Sequence, residues 1–496
     1  MRKATIVLTP SFIFALALAA LAQQNIQTNK DNKDTLHVTV SGNVDLDYVW
    51  RSQEITTFTD SFTGLKNGTG NPQDGHAENT FEGYLAVRFN VDLNDKVAAL
   101  IEIGTKRVDG GVILNWGNAT ANPIQLREAN VTVGDLLTPG LNLGVGISGW
   151  TFDIRGRGNS FAFDPHHSQS FAGASTFVAP LTAATGINLK TTQDNNLTLA
   201  ARAGFPEELE PVGFWLNWNA GNIPLTIDLV ALPAAIEGGP PSADEALYAI
   251  DAWYRLESGD LKARIGAILA VVTLPPIDAE IWTLGGGADI KMMNDSLEFW
   301  GQFYVQFGHA GYNLATNPGS TATAGGWAAD FGAQYRIPNN PIWFGGGFSY
   351  RSGDNDTGTD KHVDSFLSYE NVNDLMILED MYLGLDWDTN YWAFKLNGGI
   401  ALSIPPGKEN LRIDGIVGIT RTAESVAFAA GSTRALGDEI DGRVTWVLTK
   451  QAELHFGLGF LFSSKVLERS MDDAGASTSK SKSRAIEYVL GADLRF

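Results

Sequence analysis

Acids and bases recur at every second position along much of this chain, and that spacing limits the chemistry they can do. Arg88, Lys106, Arg202, Arg255, Arg264, Arg336 and Arg443 fall on alternate positions of extended stretches, as do Glu82, Glu298 and Asp330. On a strand such positions share one face. Ions of both signs on one face pair across neighbouring strands or stay hydrated, so these residues predict a wet surface of mixed sign.

Two loop clusters offer different chemistry. Asp354, Asp356 and Asp360 surround Gly358 in DNDTGTD, and oxygen-rich spacing of this kind suits Ca²⁺. The glycine sits one place short of the EF-hand position and no Glu closes the loop, so a solvated acidic loop is the other reading. The second cluster, Asp153, Arg155 and Arg157, lies beside Phe161, Phe163 and the pair His166-His167. Adjacent His residues point apart on extended backbone, which argues against a zinc site. With no Gly-x-Ser-x-Gly elbow, His-Glu-x-x-His or phosphate-binding glycine loop, no catalysis and no further cofactor are expected.

The elements that must position these ions are strands. LHVTVSGNVDLDYVW, beginning at Leu36, puts Val38, Val40, Val44, Leu46, Tyr48 and Trp50 on one face and Thr39, Asn43, Asp45 and Asp47 on the other. FEGYLAVRFNVDL, LEFWGQFYVQF, IDGRVTWVL and AELHFGLGFLF repeat the pattern. AIEYVLGADLRF closes the chain on Phe496, with Glu487, Asp493 and Arg495 opposite the apolar face. Such stretches run roughly 10 to 13 residues, longer than the globular mean and matched to a tilted membrane strand. The apolar face then meets lipid and the charged face meets water inside a closed barrel.

Turns sort into two kinds. Short Gly/Asn/Asp/Pro turns stand at 94–96, 139–140, 193–196, 220–222, 258–260, 293–295, 338–341 and 449–451. Long polar stretches at 51–79, 150–183, 232–245, 309–325, 352–375 and 463–483 read as loops on the opposite rim. The fold class is therefore all-β, a transmembrane antiparallel up-and-down β-barrel of about 18 strands over residues 36–496, with 20 or 22 also compatible. A barrel of that size keeps an aqueous channel, and the short segment 23–35 ahead of it leaves no room for a plug domain. The loop at 150–183, with Asp153, Arg155 and Arg157, is the candidate to fold inward and narrow that channel. Aromatics at strand ends, Tyr48, Trp50, Trp282, Trp327, Tyr335, Trp343, Trp387, Tyr391, Trp392 and Phe496, are expected at the lipid headgroups.

Composition agrees. The chain has 0 Cys, 54 Gly and a formal net charge of -21, which excludes a disulfide scaffold and gives no basic face for nucleic acid. Arg2 and Lys3, an apolar core and Ala20-Leu21-Ala22 read as a signal peptide over 1–22. The expected location is the bacterial outer membrane, with lipid as one partner.

Three stretches carry a resemblance. LGDEIDGRVTWVLTKQAELHFGLGFLF (436–462), YRSGDNDTGTDKHVDSF (350–366) and LREANVTVGDLLTPGLNLGVGISGW (126–150) resemble alginate-export-type outer-membrane porins. The resemblance implies a plugless 18-stranded barrel and passage of an acidic polysaccharide such as alginate. The mixed signs of the inward positions depart from the Arg-lined conduit such an exporter resembles. The sequence thus predicts a channel for hydrophilic solutes, the alternative being a structural or adhesive barrel whose loops bind an external ligand. A terminal aromatic such as Phe496 resembles the signal read by the barrel-assembly machinery.

Overall fold

The computed structural model describes residues 26–27, 37–52, 78–94, 96–105, 124–147, 177–178, 198–199, 212–220, 223–235, 244–274, 279–314, 317–353, 362–364, 366, 374–379, 390–403, 409–428, 431–473 and 483–496. The signal-peptide reading, Lys106, Arg202, the cluster Asp153, Arg155 and Arg157, the pair His166-His167 and the acidic trio Asp354, Asp356 and Asp360 all lie outside them.

Eighteen strands form one antiparallel wall. In chain order they are β1 (His37–Arg51), β2 (Glu78–Asn94), β3 (Val97–Thr105), β4 (Ile124–Val133), β5 (Leu141–Ile147) and β6 (Val212–Asn219). Next come β7 (Leu225–Ala235), β8 (Asp244–Ser258), β9 (Leu261–Leu274), β10 (Ala279–Met292), β11 (Leu297–Leu314) and β12 (Asn317–Arg336). The last six are β13 (Ile342–Arg351), β14 (Tyr391–Ser403), β15 (Glu409–Arg421), β16 (Gly437–Val447), β17 (Ala452–Phe462) and β18 (Ala485–Arg495). Each pairs with the next, and β18 returns to β1 in a register from Asn43↔Arg495 to Arg51↔Glu487. That last pairing closes the barrel and leaves no sheet edge.

The two faces of the wall are inverted relative to a soluble protein. Along β11, Phe303 is 48% exposed while its neighbour Gln302 is 5% exposed, and Phe299, Val305 and Phe307 repeat the outward pattern against buried Glu298, Tyr304 and Gln306. Exposed rings outside and buried ions inside mean that the outer medium is hydrocarbon and the polar groups belong to the interior. Phe496 continues the outer face of β18. Its ring covers Gly42 and its backbone exchanges two hydrogen bonds with Gly42, at 2.8 and 2.9 Å, sealing the seam between the first and last strands.

Short turns gather on one rim, as the sequence predicts, apart from the turn expected at 193–196, which lies outside the described residues, and several need left-handed backbone. Met293, Asn294 and Asp295 all have positive φ in the β10–β11 turn. The opposite rim departs from expectation at two places. Residues 232–235 and 244–245 are strand, pairing Leu232↔Leu247 through Ala235↔Asp244. Residues 309–314 and 317–325 are strand, pairing His309↔Thr323 through Leu314↔Asn317, so β11 and β12 reach 18 and 20 residues. Water on both sides removes the need for alternation there, which is why the stretch reads as a loop. Residues 426–428 do not join the wall: Val426–Phe428 pairs with Gly431–Thr433. The connection after β17 holds a helix, α1 (Lys465–Asp473), whose Leu467 amide is capped by Ser464 Oγ at 3.1 Å.

Candidate functional site

The inner wall of β11 to β18 and β1 is lined with polar and charged side chains, and one segment of the β13–β14 connection packs against it. Residues 374–379, DLMILE, form a turn in which Glu379 N donates to Leu375 O at 3.1 Å. Leu375, Ile377 and Leu378 are fully buried and Met376 nearly so. They pack with Tyr391, Ala393, Val426, Leu436 and Leu461 of the wall and rim and with Val466 and Leu467 of α1, while Met376 meets Val49 and Val489.

Glycine on the wall makes the seat. A Cβ on Gly418 would lie 2.7 Å from Leu375 Cδ1, and one on Gly457 would lie 2.7 Å from Met376 Cε. At Gly459 it would stand 3.2 Å from Ile377 Cγ1 and 2.9 Å from Asp441 Oδ1. All three glycines take inward positions of β15 and β17, the places where a side chain would hold the segment off.

Carboxylates then fasten it. Met376 N donates to Asp441 Oδ2 at 3.0 Å, Ile377 N to Glu439 Oε1 at 2.6 Å and Leu378 N to Glu439 Oε2 at 3.0 Å. Asp374 N and Leu375 N both donate to Glu379 Oε2 at 3.1 Å. Glu379 itself accepts from the Tyr391 hydroxyl and from Lys395 Nζ at 2.6 and 2.7 Å to its two oxygens, and Lys395 also reaches Asp374 Oδ2 at 3.0 Å. Burying four apolar side chains stabilises the segment by roughly 1.5–3 kcal/mol each. Ordering its six residues costs roughly 1–2 kcal/mol each. The two are comparable, so the charge-assisted bonds decide whether the segment stays in place.

Beside the segment opens a cavity of about 340 Å³, walled by residues that include Asp330, Asp374, Lys395, Arg412, Asp441 and Arg443. Hydrogen bonds tie its floor: Ser349 Oγ donates to Asp330 Oδ1 at 2.9 Å and Gln302 Nε2 to Asp330 Oδ2 at 3.3 Å. Arg412 Nε lies 2.7 Å from Asp414 Oδ2, and its guanidinium stands 5.3 Å from the Trp343 ring centre.

The residues singled out by alternation fall on the inner face where they are described. Arg88 Nη2 pairs with Glu102 Oε2 at 2.6 Å. The Arg264 guanidinium sits 3.8 Å from the Trp253 ring centre, and Arg255 is its register partner. Glu298 is buried opposite Lys291, Arg336 is opposite Trp343, and Arg443 is opposite Asp414. Glu82 stands in β2 opposite Asp47. They are spread around the wall, and only Asp330 and Arg443 reach the cavity.

Two aromatics depart from the headgroup expectation. Trp343 and Tyr391 are buried on the inner face, because each shares its parity with inward neighbours, Ser349 on β13 and Lys395 on β14. Outward rings do form the expected girdle pairs, Trp50 with Tyr488 at 5.3 Å and Trp327 with Tyr350 at 4.1 Å. The loop expected at 352–375 ends inside the inserted segment, 374–379. The available signal was Leu375-Met376-Ile377-Leu378, an unbroken apolar run in a polar connection, which must find cover.

No family model matches the chain, and no curated protein matches it. Among solved structures, Pseudomonas aeruginosa OccK8 (OprE) is similar with a TM-score of 0.51 at 10% identity, over 92% of this chain and 98% of that one. Pseudomonas aeruginosa OccK1 (OpdK) is similar with a TM-score of 0.50 at 10% identity, over 92% and 98%. At that identity the likeness is one of fold, and it agrees with the closed barrel described above.

Proposed function

We propose that this chain is an outer-membrane channel passing small hydrophilic solutes through an interior narrowed by residues 374–379. The observation that carries the reading is the inversion of the wall, with exposed rings outside and ions inside a closed barrel wide enough to hold water. Long connections on one rim mark that rim as the cell exterior, which makes the inserted segment an extracellular loop folded inward. The inward charges, Arg88, Arg255, Arg264, Arg336, Arg443, Glu298 and Asp330, line the solute path. Asp153, Arg155 and Arg157 remain a second candidate constriction, and Asp354, Asp356 and Asp360 a candidate calcium loop.

A finer reading, export of an acidic polysaccharide such as alginate, rests on three resembling stretches. The inward charges weigh against it: they are of both signs, and among the described residues the buried ones are ten carboxylates against Arg51, Arg351 and Lys395, so no continuous positive lining is there to carry a polyanion. The adhesive alternative has no feature of the inner wall to recommend it. For assembly, the Phe496–Gly42 seam is the element we assign to recognition by the barrel-assembly machinery.

Planar-bilayer recording tests the proposal. Sustained, voltage-tolerant currents with a reversal potential showing weak cation preference are expected in a salt gradient. Absence of current overturns the channel, and strong anion preference overturns the small-solute reading in favour of the polyanion.

A further inference from the structure

Beyond the edge of the cavity at β16, the next three strands bring a histidine and carboxylates together. His455 of β17, Gly491 of β18 and Asp47 of β1 lie in one register row. Gly491 has no side chain to separate its neighbours, and a Cβ there would run into both Asp47 Oδ1 and His455 Nε2. The two therefore meet across it, Nε2 to Oδ1, at 2.7 Å. Asp45, two residues along β1 on the same face, brings a third donor, and one ligand atom from each of Asp45, Asp47 and His455 lies within 4.8 Å of the others.

The next row toward the short-turn rim is acidic throughout. Asp493 stands directly opposite Asp45 on one side and Glu453 on the other. Like charges directly opposite on neighbouring strands repel. Arg495 offsets this little, its Nη2 lying 4.0 Å from Asp493 Oδ2 with the side chain 65% exposed. The group as a whole therefore favours a bound cation of more than one charge, and the imidazole says which kind.

We propose that Asp45, Asp47 and His455 form a divalent transition-metal site on the channel wall, suited to Zn²⁺. One nitrogen and two carboxylate oxygens make the three-ligand set of an open site, whose remaining positions are filled by lumen water. Imidazole selects such ions over Mg²⁺ and Ca²⁺, which take oxygen alone. The fit is close: tetrahedral ligation at zinc's bond lengths separates N and O ligands by roughly 3.4 Å. The 2.7 Å contact between His455 and Asp47 need open by only a fraction of an ångström to admit the ion. The site is independent of the solute reading, since it concerns the wall of β17, β18 and β1.

The test uses untagged, metal-stripped full-length protein in detergent, titrated calorimetrically with Zn²⁺. One saturable equivalent is expected, unaffected by excess Mg²⁺ or Ca²⁺. His455→Gln keeps a hydrogen-bond donor for Asp47 but loses the ligand, and with a heat-modifiable gel band confirming the fold it should lower affinity at least tenfold. Asp45→Asn, which spares the His455–Asp47 contact, should also weaken binding. No saturable heat, or equal affinity in His455→Gln and the unaltered protein, overturns the site and leaves an ordinary ion pair.

Discussion

Ile377, in the middle of a long connection, donates its backbone amide to Glu439 Oε1 on the barrel wall at 2.6 Å. The same carboxylate takes the next amide, of Leu378, on its other oxygen. One wall side chain thus holds two consecutive peptide groups of a loop within the barrel. Glu439→Gln leaves one of these amides without an acceptor, and Glu439→Ala leaves both. A buried amide left without an acceptor costs about 1–3 kcal/mol, so the displaced population should rise roughly fivefold or more per bond. Single-channel records should show more frequent high-conductance excursions in the order Ala above Gln above the unaltered protein. Identical records for all three would mean that the segment is not held this way.

Gly418 gives a steric version of the same test. Its added Cβ would meet Leu375 Cδ1 at 2.7 Å, Cδ2 at 2.8 Å and Cγ at 3.4 Å, and Leu375 is fully buried, so the side chain has little room to yield. Gly418→Val should push the segment from its seat and raise mean conductance, whereas Gly457→Ala, which meets only the flexible end of Met376, should change it little.

Lys395 is the buried cation of the cluster, between Glu379 and Asp374. Lys395→Met should destabilise the barrel by about 3–5 kcal/mol, since it leaves buried carboxylates unpaired. Adding Glu379→Gln to it should restore a large part of that loss. Urea unfolding in lipid vesicles, followed by tryptophan fluorescence, measures both, and a double variant no more stable than the single would contradict the pairing.

Phe496 closes the seam with Gly42 through two backbone bonds and ring contact. Deleting it should lower the yield of heat-modifiable, membrane-inserted protein. Normal yield after deletion would remove the role assigned to this residue.

Much of the barrel was legible because two immiscible media impose a period of two, and Phe299, Phe303 and Phe307 report it directly. Where that contrast ends, so does the signal: 309–314 and 317–325 extend β11 and β12 without alternating. Trp343 and Tyr391 needed their parity counted against Phe344 and Phe394, since an aromatic at a strand end suits either face. The seat of the inserted segment was the hardest part to read. Gly418, Gly457 and Gly459 look like scaffold glycines until register places them beside Leu375, Met376 and Ile377. Glu439 and Asp441 likewise look like two more lumen ions until the amides they hold are known.

The assignment of water to one face and lipid to the other is tested most directly by cysteine accessibility during conduction, because the chain has 0 Cys of its own. Arg255→Cys and Tyr254→Cys, made singly on a conducting barrel, place a thiol on adjacent residues of β8 that are both exposed but point opposite ways. A charged, membrane-impermeant thiol reagent should alter the current through Arg255→Cys and leave Tyr254→Cys unchanged. Modification at Tyr254 with Arg255 protected, or equal effects at both, would contradict the account.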